Sequence, residues 1–162
     1  MKAIVDSNVI VSAALAIYRG YQNSARFLFE TALLEEARFE SITSVPIVRE
    51  LSDVLSRPRF ELTNERITDT LALFTGASTF VEIIGVPMGV RDPRDDKVLE
   101  TALNANDDCI VTGDSDLFDP RATYGISKVG VGIRSRPIRV IGLAAFVAEV
   151  NRGPEFSALV IA

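Results

Sequence analysis

Acidic side chains are the groups in this sequence that could carry out chemistry. The 162-residue chain has no histidine and a single cysteine, Cys109, which excludes histidine-dependent triads, histidine-based zinc sites and internal disulfides. It has 22 acidic and 17 basic residues and a net charge of −5, so a nucleic-acid substrate would need a local basic patch or bound cations. Any reaction must therefore depend mainly on carboxylates.

Two short apolar segments end in acidic residues. Residues 3–5 lead into Asp6, and residues 109–112 lead into Gly113 and Asp114. If both segments are neighbouring parallel strands, Asp6 and Asp114 lie at the same edge of a sheet, where α/β proteins bind ligands. Alternatively, Asp6 only caps the following helix and the residues after 112 only form a turn. Two converging carboxylates would repel each other unless a cation lies between them.

Two more acidic residues lie at the borders of apolar helix faces. Asp96 borders the apolar face of a predicted helix at 92–106, and Glu50 borders the apolar face of an earlier one. Asp92 and Asp95 instead fit a helix N-cap and its capping box. The spacing therefore favours Asp96 as the carboxylate that points into a crevice, whereas Glu50 alone is more typical of an amphipathic surface.

A carboxylate set without histidine or cysteine selects a hard cation. Oxygen ligands suit Mg²⁺ or Mn²⁺, and magnesium is usually held by a few carboxylates, several waters and substrate phosphate oxygens. This combination points to phosphoryl chemistry in which metal-bound water attacks phosphorus.

Strand patterns alternate with helix patterns along the chain, which predicts an α/β fold with a mostly parallel central sheet covered on both faces. The length indicates one domain, placed at residues 1–150, followed by a tail at 151–162. Residues 119–137 form a long irregular connection. The predicted strands are 3–5, 39–43, 80–84, 109–112 and 138–141. The predicted helices include 9–17, one capped by Asn23 or Ser24, one with Pro46 in its first turn, one starting at Thr63 or Asn64, 92–106, and one from Leu143.

Four acidic motifs resemble, in order and spacing, those of PIN-domain proteins. They are Asp6-Ser7-Asn8, the segment from Glu50 to Arg57-Pro58-Arg59, the segment from Asp92 to Leu99, and Thr112-Gly113-Asp114-Ser115-Asp116. PIN domains usually have threonine at the position of Ser7, and serine keeps the hydroxyl. The chain is especially similar to the VapC-like branch, described as toxin components of toxin–antitoxin systems.

The resemblance implies a three-layer α/β/α sandwich and a metal-dependent ribonuclease. It implies catalytic roles for Asp6, Glu50, Asp96 and Asp114, metal binding by Asp6, Asp96, Asp114 and Asp116, and supporting roles for Asn8 and Thr112. It also implies a homodimer and an antitoxin partner. We therefore expect a cytoplasmic endoribonuclease that uses Mg²⁺ or Mn²⁺ to hydrolyse RNA phosphodiester bonds.

Several basic residues lie near the acidic motifs and are candidates for gripping the RNA backbone. They are Arg57, Arg59, Arg91, Arg94 and Lys97. Each of them is equally well explained as an ordinary surface charge.

Two other functions fit parts of the pattern. A non-catalytic PIN-like module that binds RNA or protein would be expected to have a broken acidic set, and here the set is complete. A phosphatase or phospho-receiver would need a lysine at a strand end, and no lysine follows a predicted strand.

Overall fold

The computed structural model describes residues 1–87, 92–106, 109–113 and 138–161, with side chains described as far as residue 152. A five-stranded sheet lies at the centre of the described residues, in the order β3-β2-β1-β4-β5, and every strand pair is parallel. The strands are β1 (Lys2–Val5), β2 (Glu40–Thr43), β3 (Ser78–Phe80), β4 (Cys109–Thr112) and β5 (Arg139–Gly142).

Helices connect the strands. They are α1 (Ser7–Arg19), α2 (Ser24–Arg26), α3 (Val45–Leu55), α4 (Asn64–Gly76), α5 (Asp96–Ala105) and α6 (Leu143–Ile161). A π-helix at Phe27–Glu35 continues α2, and 3₁₀ turns lie at Pro58–Phe60 and Pro93–Asp95. None of the helices in this part of the chain is long and apolar enough to cross a membrane.

The central strands are buried on both faces. Ala3 and Val5 of β1 belong to a core that includes residues of α1, the π-helix, α3, α4 and α6. Ile4 points the other way, into a second core built largely on α5. Successive strand residues face opposite sides, so this alternation places helices on both faces of the sheet. The predicted three-layer α/β/α sandwich is confirmed.

The third predicted strand, 80–84, is wrong in position. β3 pairs with β2 only as far as Phe80 opposite Thr43, where β2 ends. Beyond that point, the backbone N–H groups of residues 84–86 donate hydrogen bonds to the Glu100 side chain instead. Apolar composition alone did not reveal that the partner strand stops, whereas the other four predicted strands match within one residue at each end.

Three predicted helices differ from the observed ones. The predicted helix at 9–17 is two residues shorter at each end than α1. Asn23 caps the second helix as expected, but the helix widens to π geometry at Phe27, which apolar spacing does not distinguish from an α-helix. The predicted helix at 92–106 begins as the 3₁₀ turn Pro93–Asp95, and α5 proper starts at Asp96.

Two segments bear on the predicted domain limits, namely the last helix and the predicted connection at 119–137. Helix α6 continues across residue 150, so the predicted tail at 151–162 begins inside a helix. The predicted irregular connection at 119–137 lies outside the described residues. The domain limits remain a prediction.

Candidate active site

The site lies where the order of the strands along the sheet reverses. Strand β1 pairs with β2 on one side and with β4 on the other, with Val5 opposite Val111. The chain leaves β1 toward β2 and leaves β4 toward β5, so the β1–β4 boundary is the switch point at which open α/β sheets bind ligands. The two acid-ended strands are parallel neighbours, which is the condition under which the sequence placed their acidic ends at one edge.

Asp6 is fixed by both strands and by α1. Its backbone N–H donates to Val111 O at 2.9 Å, which extends the β1–β4 pairing by one residue. Its Oδ1 accepts from the Ser7 N–H and its Oδ2 from the Thr112 hydroxyl, each at 2.8 Å, and the residue is 4% exposed. Asp6 therefore caps α1 and also lies at the edge of the sheet. The two hydrogen bonds fix the orientation of the Asp6 carboxylate at this edge.

Glu50 joins the second acidic motif to the first and the third. Its Oε2 accepts from the Ser7 hydroxyl at 2.6 Å, and its Oε1 lies 3.1 Å from the Lys97 ammonium nitrogen. The border position of Glu50 on α3 thus faces the sheet edge, whereas Arg49 beside it is exposed. The hydroxyl of Ser7 connects the Asp6 segment to α3.

These residues lie beside an open cleft with a volume of about 380 Å³. Acidic groups and basic groups both line it, so the cleft has complementary surfaces for a cation and for an anion. The described residues that line it are Asp6, Ser7, Asn8, Val11, Glu50, Val54, Arg57, Arg59, Phe60, Asp92, Arg94 and Asp95.

Asp95 reaches the cleft, which the sequence interpretation did not anticipate. Asp95 is 9% exposed and lines the cleft with Asp6 and Glu50. Asp96 is absent from the described lining, and its Oδ1 is buried without a hydrogen-bond partner among the described residues. A regular helix from Asp92 would place Asp95 in a capping box, but the 3₁₀ turn changes the directions of both side chains. The available signal was Pro93, which favours a tight first turn.

Asp92 caps the 3₁₀ turn as predicted. It accepts from the Arg94 N–H at 3.0 Å and forms an ion pair with the Arg94 guanidinium at 2.7 Å. The side-chain and backbone hydrogen bonds from Arg94 lower the pKa of the Asp92 carboxyl below its usual value. The side-chain hydrogen bond also raises the pKa of the Arg94 guanidinium. Both groups therefore remain charged at neutral pH at the rim of the cleft.

The remaining predicted site residues divide into three groups. Asn8 is exposed on the cleft wall, and Thr112 holds Asp6. Lys97 faces Glu50 rather than open solvent, with its side chain 18% exposed. The others lie outside the described residues, and they are Arg91, Asp114 and Asp116.

The donor chemistry of the cleft fits a hard divalent cation. Asp6, Glu50 and Asp95 offer carboxylate oxygens, which Mg²⁺ and Mn²⁺ prefer. Within the ranges that the structure describes, however, no three acidic or cysteine side chains are grouped closely enough to hold a metal ion. Two of the predicted ligands, Asp114 and Asp116, follow β4 in the part that is not described.

Comparison with known families shows where the chain belongs. The family pattern described as the PIN domain matches residues 2–116, more than half of the chain. The chain belongs to the PIN-domain family. The match extends over all four acidic motifs of this PIN domain. PIN domains are generally nucleases, which places the chain among nuclease-like hydrolases at a coarse level. No curated protein and no solved structure matches the chain.

Proposed function

We propose that this PIN domain is a metal-dependent endoribonuclease and that the cleft at the β1–β4 edge is its active site. The observation that carries the proposal is the meeting of Asp6, Glu50 and Asp95 in one cleft. They come from three separate motifs, and basic side chains line the same cleft. Carboxylates beside cations suit a phosphodiester, which needs a bound metal at the reacting phosphate and positive charge along the backbone.

The proposed metal ligands are carboxylates. Asp6 and Asp95 would hold Mg²⁺ or Mn²⁺ together with Asp114 and Asp116, directly or through water. Asp96 remains a predicted ligand, and its buried Oδ1, which has no hydrogen-bond partner among the described residues, supports a role beside the site. When bound, the cation would lower the pKa of a coordinated water and neutralise charge at the leaving oxygen.

The chain's own residues would orient these groups. Thr112 and the Ser7 N–H hold both oxygens of Asp6, and the Ser7 hydroxyl holds one oxygen of Glu50. Glu50 would accept a hydrogen bond from the attacking water and so direct it at phosphorus. Arg57 and Arg94 would bind phosphate oxygens of the RNA from the basic part of the lining.

We also propose a toxin role with an antitoxin partner, and a homodimer. Both rest on the resemblance of the four motifs to the VapC-like branch. Induced expression should arrest bacterial growth for the wild type but not for an Asp6→Asn variant. Light scattering of the purified chain should give twice the monomer mass.

The direct test is cleavage of end-labelled single-stranded RNA with Mn²⁺. Asp6→Asn should abolish cleavage while the circular dichroism spectrum is retained. Asp53→Asn is the matched control, because Asp53 is exposed on α3 and is not among the cleft residues. Undiminished cleavage by Asp6→Asn, or cleavage that EDTA leaves unchanged, would contradict the proposal. RNA binding without any cleavage would instead support the non-catalytic alternative.

A further inference from the structure

We infer that the turn formed by Arg57, Pro58, Arg59 and Phe60 is a base-stacking subsite for single-stranded RNA. The turn would receive a nucleotide that neighbours the reacting phosphate. The inference rests on the proposed function for the identity of the ligand. It adds a named subsite, at the end of the second acidic motif, that would select unpaired RNA.

The turn is held in one shape by its backbone. Pro58 begins the 3₁₀ turn with a fixed φ, and the Phe60 N–H donates to Arg57 O at 3.0 Å. Glu61 ends the turn in the left-handed region, with φ 54°, and its N–H donates to Pro58 O at 3.1 Å. Side chains on such a turn start from a restricted geometry, which lowers the entropy cost of binding a ligand.

Arg59 and Phe60 form a stacked pair on the cleft wall. The Arg59 guanidinium carbon lies 4.7 Å from the centroid of the Phe60 ring. Phe60 is partly buried against the larger core, whereas Arg59 is exposed. The guanidinium therefore packs over the ring while Arg59 stays exposed to solvent. Unstacked RNA bases bind on guanidinium planes and aromatic rings in this way.

Among the described residues, Arg57 and Arg59 are the cations of the cleft lining without an acidic partner. No carboxylate among the described residues forms an ion pair with either guanidinium, whereas Arg94 is paired with Asp92 and Lys97 with Glu50. Exposed cations that lack an internal partner are available to phosphate oxygens. The turn thus offers a stacking surface and positive charge side by side.

The location of the turn connects the subsite to the carboxylates. The same cleft is lined by Arg59 and Phe60 on one part and by Asp6 and Glu50 on another. A strand whose reacting phosphate lies at the carboxylates would extend over the turn. A base paired in a duplex is not free to stack on the turn, so the geometry favours single strands. An acidic peptide would use the charges but not the stacking surface.

The test measures binding without cleavage. Fluorescence anisotropy with a labelled single-stranded oligoribonucleotide in EDTA gives Kd for the wild type and for Arg59→Ala. Loss of the stacking surface should weaken binding about fivefold or more, in line with the usual contribution of one stacked base. Arg59→Lys keeps the charge but not the stacking surface, so its log Kd should lie closer to that of Arg59→Ala than to that of the wild type. Arg57→Ala should weaken all oligonucleotides alike, and the effect should shrink with added salt.

Matched controls come from the same chain. Arg66 lies 4.9 Å from the Tyr18 ring centroid and Arg49 is exposed on α3, and neither lines the cleft. Arg66→Ala and Arg49→Ala should change Kd by less than about twofold, because they remove the same charge elsewhere. Thermal unfolding of each variant confirms that it is folded.

A series of oligonucleotides with one abasic position completes the test. One abasic position should weaken wild-type binding about as much as Arg59→Ala does, and the two losses should not add. The inference is overturned if Arg59→Ala binds like the wild type, or if Arg66→Ala loses as much affinity. It is also overturned if the losses add at every position, or if duplex RNA or an acidic peptide binds as tightly as single strands. If the stacking effect is present but no metal supports cleavage, the nuclease proposal fails and the subsite stands.

Discussion

The ammonium nitrogen of Lys97 lies 3.1 Å from Oε1 of Glu50, so a lysine of α5 forms an ion pair with a carboxylate of the cleft. The Lys97 ammonium also donates a hydrogen bond to the carbonyl of Arg94. The Ser7 hydroxyl holds the other oxygen of Glu50. The ion pair therefore couples the second and third motifs and adds positive charge beside the Glu50 carboxylate.

Replacing Lys97 by methionine should separate metal binding from turnover. Removal of the ammonium relieves its repulsion of the cation, so Mn²⁺ should bind more tightly by about 1 kcal/mol, or roughly fivefold. RNA cleavage should nevertheless fall, because Glu50 loses the contact that orients it. Isothermal titration calorimetry gives the affinity, and single-turnover cleavage gives the rate. Lys2→Met, at the exposed start of β1, is the control for the same charge change. Weaker Mn²⁺ binding in Lys97→Met would contradict this view of the ion pair.

The roles of Asp95 and Asp96 can be ranked by isosteric substitution. Asp95→Asn should reduce metal-dependent RNA cleavage by about 100-fold or more, because removal of a carboxylate ligand weakens both metal binding and water activation. Asp96→Asn should cost less, because Asp96 lies outside the described cleft lining. Initial rates over a range of Mn²⁺ concentrations measure both variants. The reverse order of losses would show that the sequence-based choice of Asp96 was right.

Glu100 anchors the segment that follows β3. Its side chain is 3% exposed and accepts hydrogen bonds from the N–H groups of Ile84, Gly85 and Val86 at 2.8, 3.1 and 3.0 Å. Glu100→Ala removes the acceptor for all three, so we expect a loss of about 2 kcal/mol or more in the free energy of unfolding. Urea unfolding measures this loss, and amide hydrogen exchange at residues 84–86 should accelerate.

Glu82→Ala provides the comparison for Glu100, because Glu82 is exposed in the same segment. This variant should change the unfolding free energy by less than about 0.5 kcal/mol. If both substitutions lower the unfolding free energy equally, Glu100 does not anchor residues 84–86.

The Arg139–Glu149 ion pair should make stability depend on pH in the acid range. The hydrogen bond from Arg139 lowers the pKa of the Glu149 carboxyl below its usual 4.5. Since the folded-state pKa is the lower one, the stabilisation is present above the usual value and disappears as pH falls through the folded-state value. The side chains are 52% and 34% exposed, so the contribution is small.

Glu149→Gln should therefore lower stability at pH 7 by at most about 0.5 kcal/mol and leave it unchanged near pH 2. Thermal unfolding of both proteins across this range measures the difference, which should shrink in 1 M salt as the charges are screened. A difference that grows on acidification would have the wrong sign for this ion pair.

The sequence by itself determined most of the framework. Its signals are local, because they reflect backbone geometry and hydrogen bonding within a few residues. They are the apolar strand residues, the caps at Asn23 and Thr63, and Pro46 in the first turn of α3. Their alternation implied a parallel sheet. The two acid-ended strands then implied a shared edge, and the structure confirms their pairing.

Only the tertiary structure decided which side chains meet. β3 ends where β2 offers no further partner, and Asp95 turns into the cleft because a 3₁₀ turn precedes α5. The contact between Lys97 and Glu50 depends on how α3 and α5 lie across the sheet edge. Such contacts join residues that are distant along the chain, and the directions of their side chains depend on packing that local spacing does not contain.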